Sequence, residues 1–259
     1  MADRLAEPLP LVALHGFGDS PACLAPFLSR LGTIDVVAPP LLAHAGRRMP
    51  RDVGFTHDAL VHDVLETVRD VADSAGAPVT MLGHSLGAST AAGVAAAAGD
   101  LVRALVLEDP PWQVPSTPDG DGEDDRVAEL LSDHRPWLDG LQRTDHDGRL
   151  AWVADHHPHW PLDEWDPWAR AKAAVDLFLF DAPQRWLRRQ WRGVAAAIEC
   201  PVLLLTGDTE HDTACEPGVS HELATLPGWS VVQVQGAGHN VRRDRRDEAV
   251  ALVRSFLAR

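Results

Sequence analysis

Cysteine is scarce: the 259-residue chain has three, Cys23, Cys200 and Cys215. The number is odd and the spacing fits no metal-ligand pattern, so neither a disulfide framework nor a metal site is expected. Sparse thiols suit a reducing compartment. No run approaches the roughly 18 apolar residues of a membrane span. Residues Met1 to Pro10 carry two acids and no apolar signal-peptide core, so a cytoplasmic protein is expected. Positive charge is also in deficit: 23 Lys and Arg stand against 38 Asp and Glu, a net charge of −15. That balance repels nucleic acid and anionic membranes, which are excluded as expected partners. The chain has no glycine-rich phosphate loop and no dinucleotide fingerprint, so no cofactor is expected.

What is present is ordinary for a globular protein, with 45% hydrophobic and 24% charged residues, enough for a sizeable core. Short apolar runs alternate with helical ones. Leu9–Leu14, Ile34–Ala38, Val79–Leu82, Val102–Leu107, Val202–Leu205 and Val231–Val234 read as buried strands. Helical spacing runs over Cys23–Leu31, over Asp58–Asp73 with Asp58 as its cap, over the small-residue stretch Ala88–Ala98, and over Glu248–Leu257. Strand–helix alternation predicts an α/β fold: a mostly parallel sheet with helices on both faces. Residues 112–192 break the rhythm and hold eight of the nine tryptophans. They read as a mostly helical insertion, too long for a plain loop.

Three motifs carry chemistry. Gly83-His84-Ser85-Leu86-Gly87 lies between a predicted strand and helix. There a serine must sit on a sharp turn with its oxygen above the sheet, and the glycines keep side chains out of that turn. His15-Gly16-Phe17-Gly18 follows the first strand, at the same carboxyl edge of a parallel sheet. The backbone N–H groups of Phe17 and Leu86 can converge there on a carbonyl oxygen. Gly236-Ala237-Gly238-His239 follows the last strand, where a loop histidine can take and return the serine's proton.

In this order the three motifs resemble the α/β-hydrolase superfamily over nearly the whole chain outside the insertion. The resemblance implies Ser85 as nucleophile, His239 as base, and Phe17 and Leu86 as the oxyanion hole. It also implies that 112–192 is a cap over a core made of residues 1–111 and 193–259. The short N-terminus implies about six strands in place of the family's usual eight. The acid stays open. Asp109, at the end of the strand before the insertion, is preferred, as in haloalkane dehalogenases and zearalenone lactonases. Glu210, in Gly207-Asp208-Thr209-Glu210, is the alternative at the family's usual place, with Asp208, Asp212 and Glu108 behind it.

Other features have plainer readings. Each cap tryptophan is more readily core than pocket wall. His156-His157-Pro158-His159 reads as solvated histidines and not as a zinc site. The acidic run Asp119–Asp125 reads as a solvated loop. Arg188-Arg189 and Arg242-Arg243-Asp244-Arg245-Arg246 read as surface charge. The expected activity is hydrolysis of a carboxylic ester or lactone of a small, largely apolar molecule through an acyl-enzyme. The alternatives are C–C bond hydrolysis or a lyase step on the same fold, and a ligand-binding protein without catalysis.

Overall fold

The computed structural model describes residues 9–32, 34–114, 125–185 and 190–259. Residues 1–8, the acidic run up to residue 124, Trp186, Arg188 and Arg189 lie outside them. Among the described residues the strands are β1 (Leu9–Leu14), β2 (Ile34–Val37), β3 (Phe55–Thr56), β4 (Val79–His84), β5 (Val102–Glu108), β6 (Gln184–Arg185), β7 (Val202–Thr206) and β8 (Trp229–Gln233). Six form one sheet in the order β2-β1-β4-β5-β7-β8, with every pair parallel. β3 and β6 pair apart from it. The six long strands are those read from the sequence, with ends moved by one or two residues.

The helices are α1 (Ala25–Leu28), α2 (His57–Ala75), α3 (Leu86–Ala97), α4 (Asp125–Arg143), α5 (His146–His156), α6 (Trp165–Ala173), α7 (Trp191–Ala196), α8 (Pro217–Leu223), α9 (Val241–Asp244) and α10 (Arg246–Leu257). Alternate residues of each strand enter two separate cores. Val12, Leu14, Met81 and Leu107 pack with α2, α3, α7 and α8. Leu11, Ala13, Leu82, Val106 and Leu205 pack with α1 and α10 on the other face. Both faces are therefore covered, as a parallel sheet requires.

Two helix readings need correction. Asp58 is not the cap of α2: Thr56 is, its hydroxyl accepting from the Ala59 amide at 3.2 Å, and Asp58 sits in the first turn. The extended residue that ends β3 is already in the position a cap needs. The stretch Cys23–Leu31 holds only a 3₁₀ turn, Pro21–Cys23, and the four-residue α1.

Between β5 and β7 the chain runs through α4, α5, α6 and α7, so the insertion is helical. α4, α5, α6 and the loop after α5 share a small core of their own, built on Leu141, Val153, Trp160, Trp168 and Ala169.

Candidate active site

The turn between β4 and α3 holds Ser85 at φ 53° and ψ −117°. A side chain is strained in that region, by about 1–3 kcal/mol. Packing enforces the turn. A Cβ on Gly83 would lie 2.3 Å from Gly87 O, and one on Gly87 would lie 2.4 Å from Leu14 O. Neither position can carry a side chain without moving backbone, so the glycines of the motif are a steric necessity. The Ser85 N–H donates to Glu108 O at 2.8 Å, pinning the turn to the end of β5.

His239 lies after β8, and its Nε2 is 2.9 Å from Ser85 Oγ. Its Nδ1 is 2.7 Å from Asp109 Oδ2. Asp109 is fully buried and sits at φ 45° just past β5. Three further groups donate to the same carboxylate: the Thr213 hydroxyl and the Ala214 amide at 2.7 Å, and the Cys215 amide at 3.3 Å. With four donors aimed at it the group is an acceptor throughout, so His239 carries its proton on Nδ1 and presents Nε2 to the serine. Burial lowers the His239 pKa, but the Asp109 hydrogen bond and the charges of Asp109, Glu108 and Asp212 outweigh it, and the net shift is upward from 6.5.

Of the two open acids, then, the structure brings Asp109 to the histidine and leaves Glu210 away from it. Glu210 is exposed, and only its amide is engaged, by Asp208 Oδ1 at 2.9 Å. Asp208 has a different task. It accepts from the Gly236 amide and pairs with His211 Nδ1 at 2.7 Å, which staples the loop after β7 to the histidine loop. Those bonds, His211 first, hold its pKa down to about 2. Glu108 faces Arg242 instead of His239.

The loop after β1 packs directly on the serine turn: a Cβ on Gly16 would sit 3.3 Å from Ser85 Cβ. The amides of Phe17 and Leu86 have no acceptor among the described residues, which leaves both for a ligand oxygen. Three histidines shape these loops and were not singled out from sequence. His44 Nε2 accepts from the Gly18 amide at 2.9 Å, and His15 Nε2 accepts from the Leu41 amide at 3.1 Å. Burial lowers them to about 3 and about 4 respectively, so both are neutral acceptors at pH 7. His84 donates from Nε2 to His239 O at 3.0 Å and fixes the backbone of that residue. A buried histidine is recognisable only through its partners, and these lie up to 155 residues away.

The arginine run corrects the sequence reading most sharply. Arg242 and Arg243 are 1% and 3% exposed, not surface charge. Arg242 bonds Glu108 and Asp19, and Arg243 bonds Glu164 and Asp19. Lys172, the one lysine of the chain, reaches Asp19 Oδ1 at 2.9 Å and Gly18 O at 2.7 Å. Burial would raise the Asp19 carboxyl, but Arg243, Lys172 and Arg242 hold it well below the usual carboxylate range. One buried cluster thus joins the loop after β1 (Asp19), the end of β5 (Glu108), the loop and helix after β8 (Arg242, Arg243) and the helical insertion (Glu164, Lys172). Removing one partner of such a cluster leaves charge uncompensated. Asp19→Asn is therefore expected to cost about 3–5 kcal/mol of stability, read by urea or thermal unfolding. An unchanged midpoint would mean that the cluster does not hold these elements.

A cavity of about 600 Å³ lies over Ser85. Trp137, Trp152, Trp160 and Trp168 of the insertion border it, with Phe17 and Lys172. Trp112 and Trp191 instead stack in the main core, with centroids 6.1 Å apart. The sequence could not rank the tryptophans; Trp160 and Trp168 belong both to the small core of the insertion and to the cavity wall, whereas Trp112 and Trp191 belong to the main core and do not border this cavity. Among the described residues no group of three or more side chains is placed to hold a metal ion. Nor is any helix among them long and apolar enough to cross a membrane.

A parallel sheet that lifts a strained serine at its carboxyl edge, hydrogen-bonded to a histidine after the last strand, defines a hydrolase-type fold. The sequence profile of the Alpha/beta hydrolase family matches residues 11–252, and the chain belongs to that family. Solved structures agree on the fold. MenH from S. aureus superposes with a TM-score of 0.71 at 16% identity, covering 96% of this chain and 93% of that one. A thioesterase domain from the curacin biosynthetic pathway gives 0.70 at 18%, covering 95% and 92%. A thermophilic esterase from Thermogutta terrifontis gives 0.66 at 18%, covering 96% and 89%. No curated protein sequence matches the chain.

Proposed function

We propose that the protein is a serine hydrolase that cleaves a carboxylic ester or lactone of a small, largely apolar molecule. The observation that carries this reading is the unbroken chain from Asp109 Oδ2 to His239 Nδ1 at 2.7 Å and from His239 Nε2 to Ser85 Oγ at 2.9 Å. Ser85 Oγ attacks the carbonyl carbon as its proton passes to Nε2. The carbonyl electron pair moves onto oxygen, which the free Phe17 and Leu86 amides receive. On collapse the bond to the alcohol breaks and Nε2 returns the proton to the leaving oxygen. Water, deprotonated by the same histidine, then frees the acid. Asp109 keeps the tautomer and stabilises the imidazolium. Residues 112–192 act as the cap over residues 1–111 and 193–259, supplying the tryptophan wall. Neighbours named as an esterase and a thioesterase accord with attack on an ester-type carbonyl.

A fluorophosphonate probe tests the reading. It is expected to label Ser85 in the folded protein, located by peptide mass spectrometry, and labelling should vanish on heat unfolding. Failure to label would favour a binding protein on the same fold.

The histidine also sets the pH profile. The base must be neutral to act, and its pKa is raised above 6.5. kcat/KM is therefore expected to rise with pH through an apparent pKa above 6.5, and to have lost most of its value by pH 6. The same shift stabilises the fold in full below the unfolded value of about 6.5, an effect lost as pH rises through the folded pKa. A flat profile between pH 6 and 8 would remove His239 from the role.

A further inference from the structure

The Phe17 amide sits in a tightly held turn. Residues 16–19 form a β-turn closed by the Asp19 N–H on Gly16 O at 3.1 Å. Gly18 takes its third position at φ 71°, as a type II turn requires. Gly16 O meets a second donor, His15 Nδ1, at 2.9 Å. His15 Nε2 accepts from the Leu41 amide, so the ring proton is on Nδ1. The Gly18 N–H goes to His44 Nε2, and Gly18 O accepts from Lys172 Nζ at 2.7 Å. The Phe17 N–H has no acceptor among the described residues. It lies on the same rigid peptide plane as Gly16 O. Two donors on that oxygen therefore aim the N–H at the opposite edge and polarise it toward donation.

Lys172, on α6, reaches this turn from the insertion. Its Nζ bridges Gly18 O and Asp19 Oδ1, and its Nζ, Cε and Cδ lie 3.3 to 3.7 Å from the point a Gly18 Cβ would occupy. The end of α6 is tied in turn to the loop that carries His44: the Gly46 N–H donates to Ala174 O, and the Asp176 N–H to Ala43 O, both at 2.7 Å. The insertion thus holds Gly18 from two sides, its carbonyl directly and its amide by way of His44. We propose that Lys172 is a positioning residue for the oxyanion: from the insertion it fixes the 16–19 turn, and with it the direction of the Phe17 N–H. This rests on the serine-hydrolase reading above. Without the ε-ammonium, Gly18 O loses this donor and Asp19 Oδ1 loses its charged partner, while Arg242 and Arg243 still hold Oδ2. The carboxylate is then free to turn about that one oxygen, and the turn moves with it. An oxyanion donor works only where it is aimed in advance, so the insertion contributes to the chemical step and not only to the cavity wall.

Lys172→Met tests the assignment, since it keeps the stem and removes the charge. With nitrophenyl acetate and nitrophenyl phenylacetate, kcat is expected to fall at least about tenfold and by the same factor for both, with KM within about threefold of the parent. An oxyanion donor serves every ester carbonyl alike, and acylation and deacylation both pass through it. A direct contact between Lys172 and the substrate would instead show in KM and would distinguish the two acyl groups. Should this variant not fold, the charge-balanced pair Lys172→Met with Asp19→Asn takes its place and is expected to show the same loss. Unchanged kcat in a folded variant, or a loss that falls on KM or differs between the two esters, would overturn the assignment, while fluorophosphonate labelling of Ser85 in the parent leaves the hydrolase reading standing. No ester turnover by the parent together with no labelling would bring down both.

Discussion

Ser85→Ala is expected to lower ester turnover at least about 10⁴-fold, because the nucleophile and its base act as one unit and losing either forfeits most of the rate. The fold should survive. Among the described residues the hydroxyl's one hydrogen-bond partner is His239, and alanine at φ 53° is no more strained than serine. Circular dichroism and the unfolding midpoint should thus match the parent within error, while turnover of a nitrophenyl ester falls to background. Ser85→Gly adds a second readout. Glycine adopts that φ freely, so this variant should be inactive yet more stable than Ser85→Ala, by up to about 1–3 kcal/mol. Activity retained in Ser85→Ala would end the assignment. Equal stability of the two variants would mean that the turn stores no strain.

Asp109→Asn is expected to cost about 10³-fold or more in kcat. The amide has two orientations. With its NH₂ toward His239 it forces the wrong tautomer and opposes the Ala214 amide. With its oxygen toward His239 the Thr213 hydroxyl can turn to accept from the NH₂, but the negative charge that stabilises the imidazolium is gone. The variant also makes a prediction that a merely destabilised protein would not. Asp109 is the main reason His239 titrates above 6.5, so residual activity should show an acid limb shifted to lower pH. Glu210→Gln, at an exposed side chain, should stay within about twofold of the parent, as surface changes remote from a site do. Reversal of that order, with Glu210→Gln the damaging change, would move the acid to the loop after β7.

The parts legible in the sequence are those whose physics is local. Gly83 and Gly87 clash with backbone if given a Cβ, so the serine turn leaves a fixed pattern of small residues. The central strands β1, β4, β5 and β7 are largely apolar without strict alternation because both faces are covered, while the edge strands β2 and β8 are only half-buried. The carboxylate that meets His239 was only half legible. Asp109 and Glu210 both follow a strand at the carboxyl edge, and what separates them is the segment Thr213–Cys215, whose donors close around Asp109 from 104 to 106 residues away. The arginine run misled for the same reason. Arg242 and Arg243 look like solvated charge until Asp19, Glu108 and Glu164 are seen to converge on them, from as far as 224 residues off. Charge runs carry no local mark of burial. Nor does a tryptophan say whether it faces a core or a cavity, and Trp160 and Trp168 do both through tertiary packing alone.

Lys172 lies at the edge of the cavity over Ser85, 3% exposed, and the chain has no other lysine. An amine-directed acylating reagent therefore meets this ε-amine by way of the cavity, against the grip of Asp19 and Gly18. The rate of modification at Lys172 would thus report how freely that cavity communicates with solvent, and a molecule seated in it would slow the reaction.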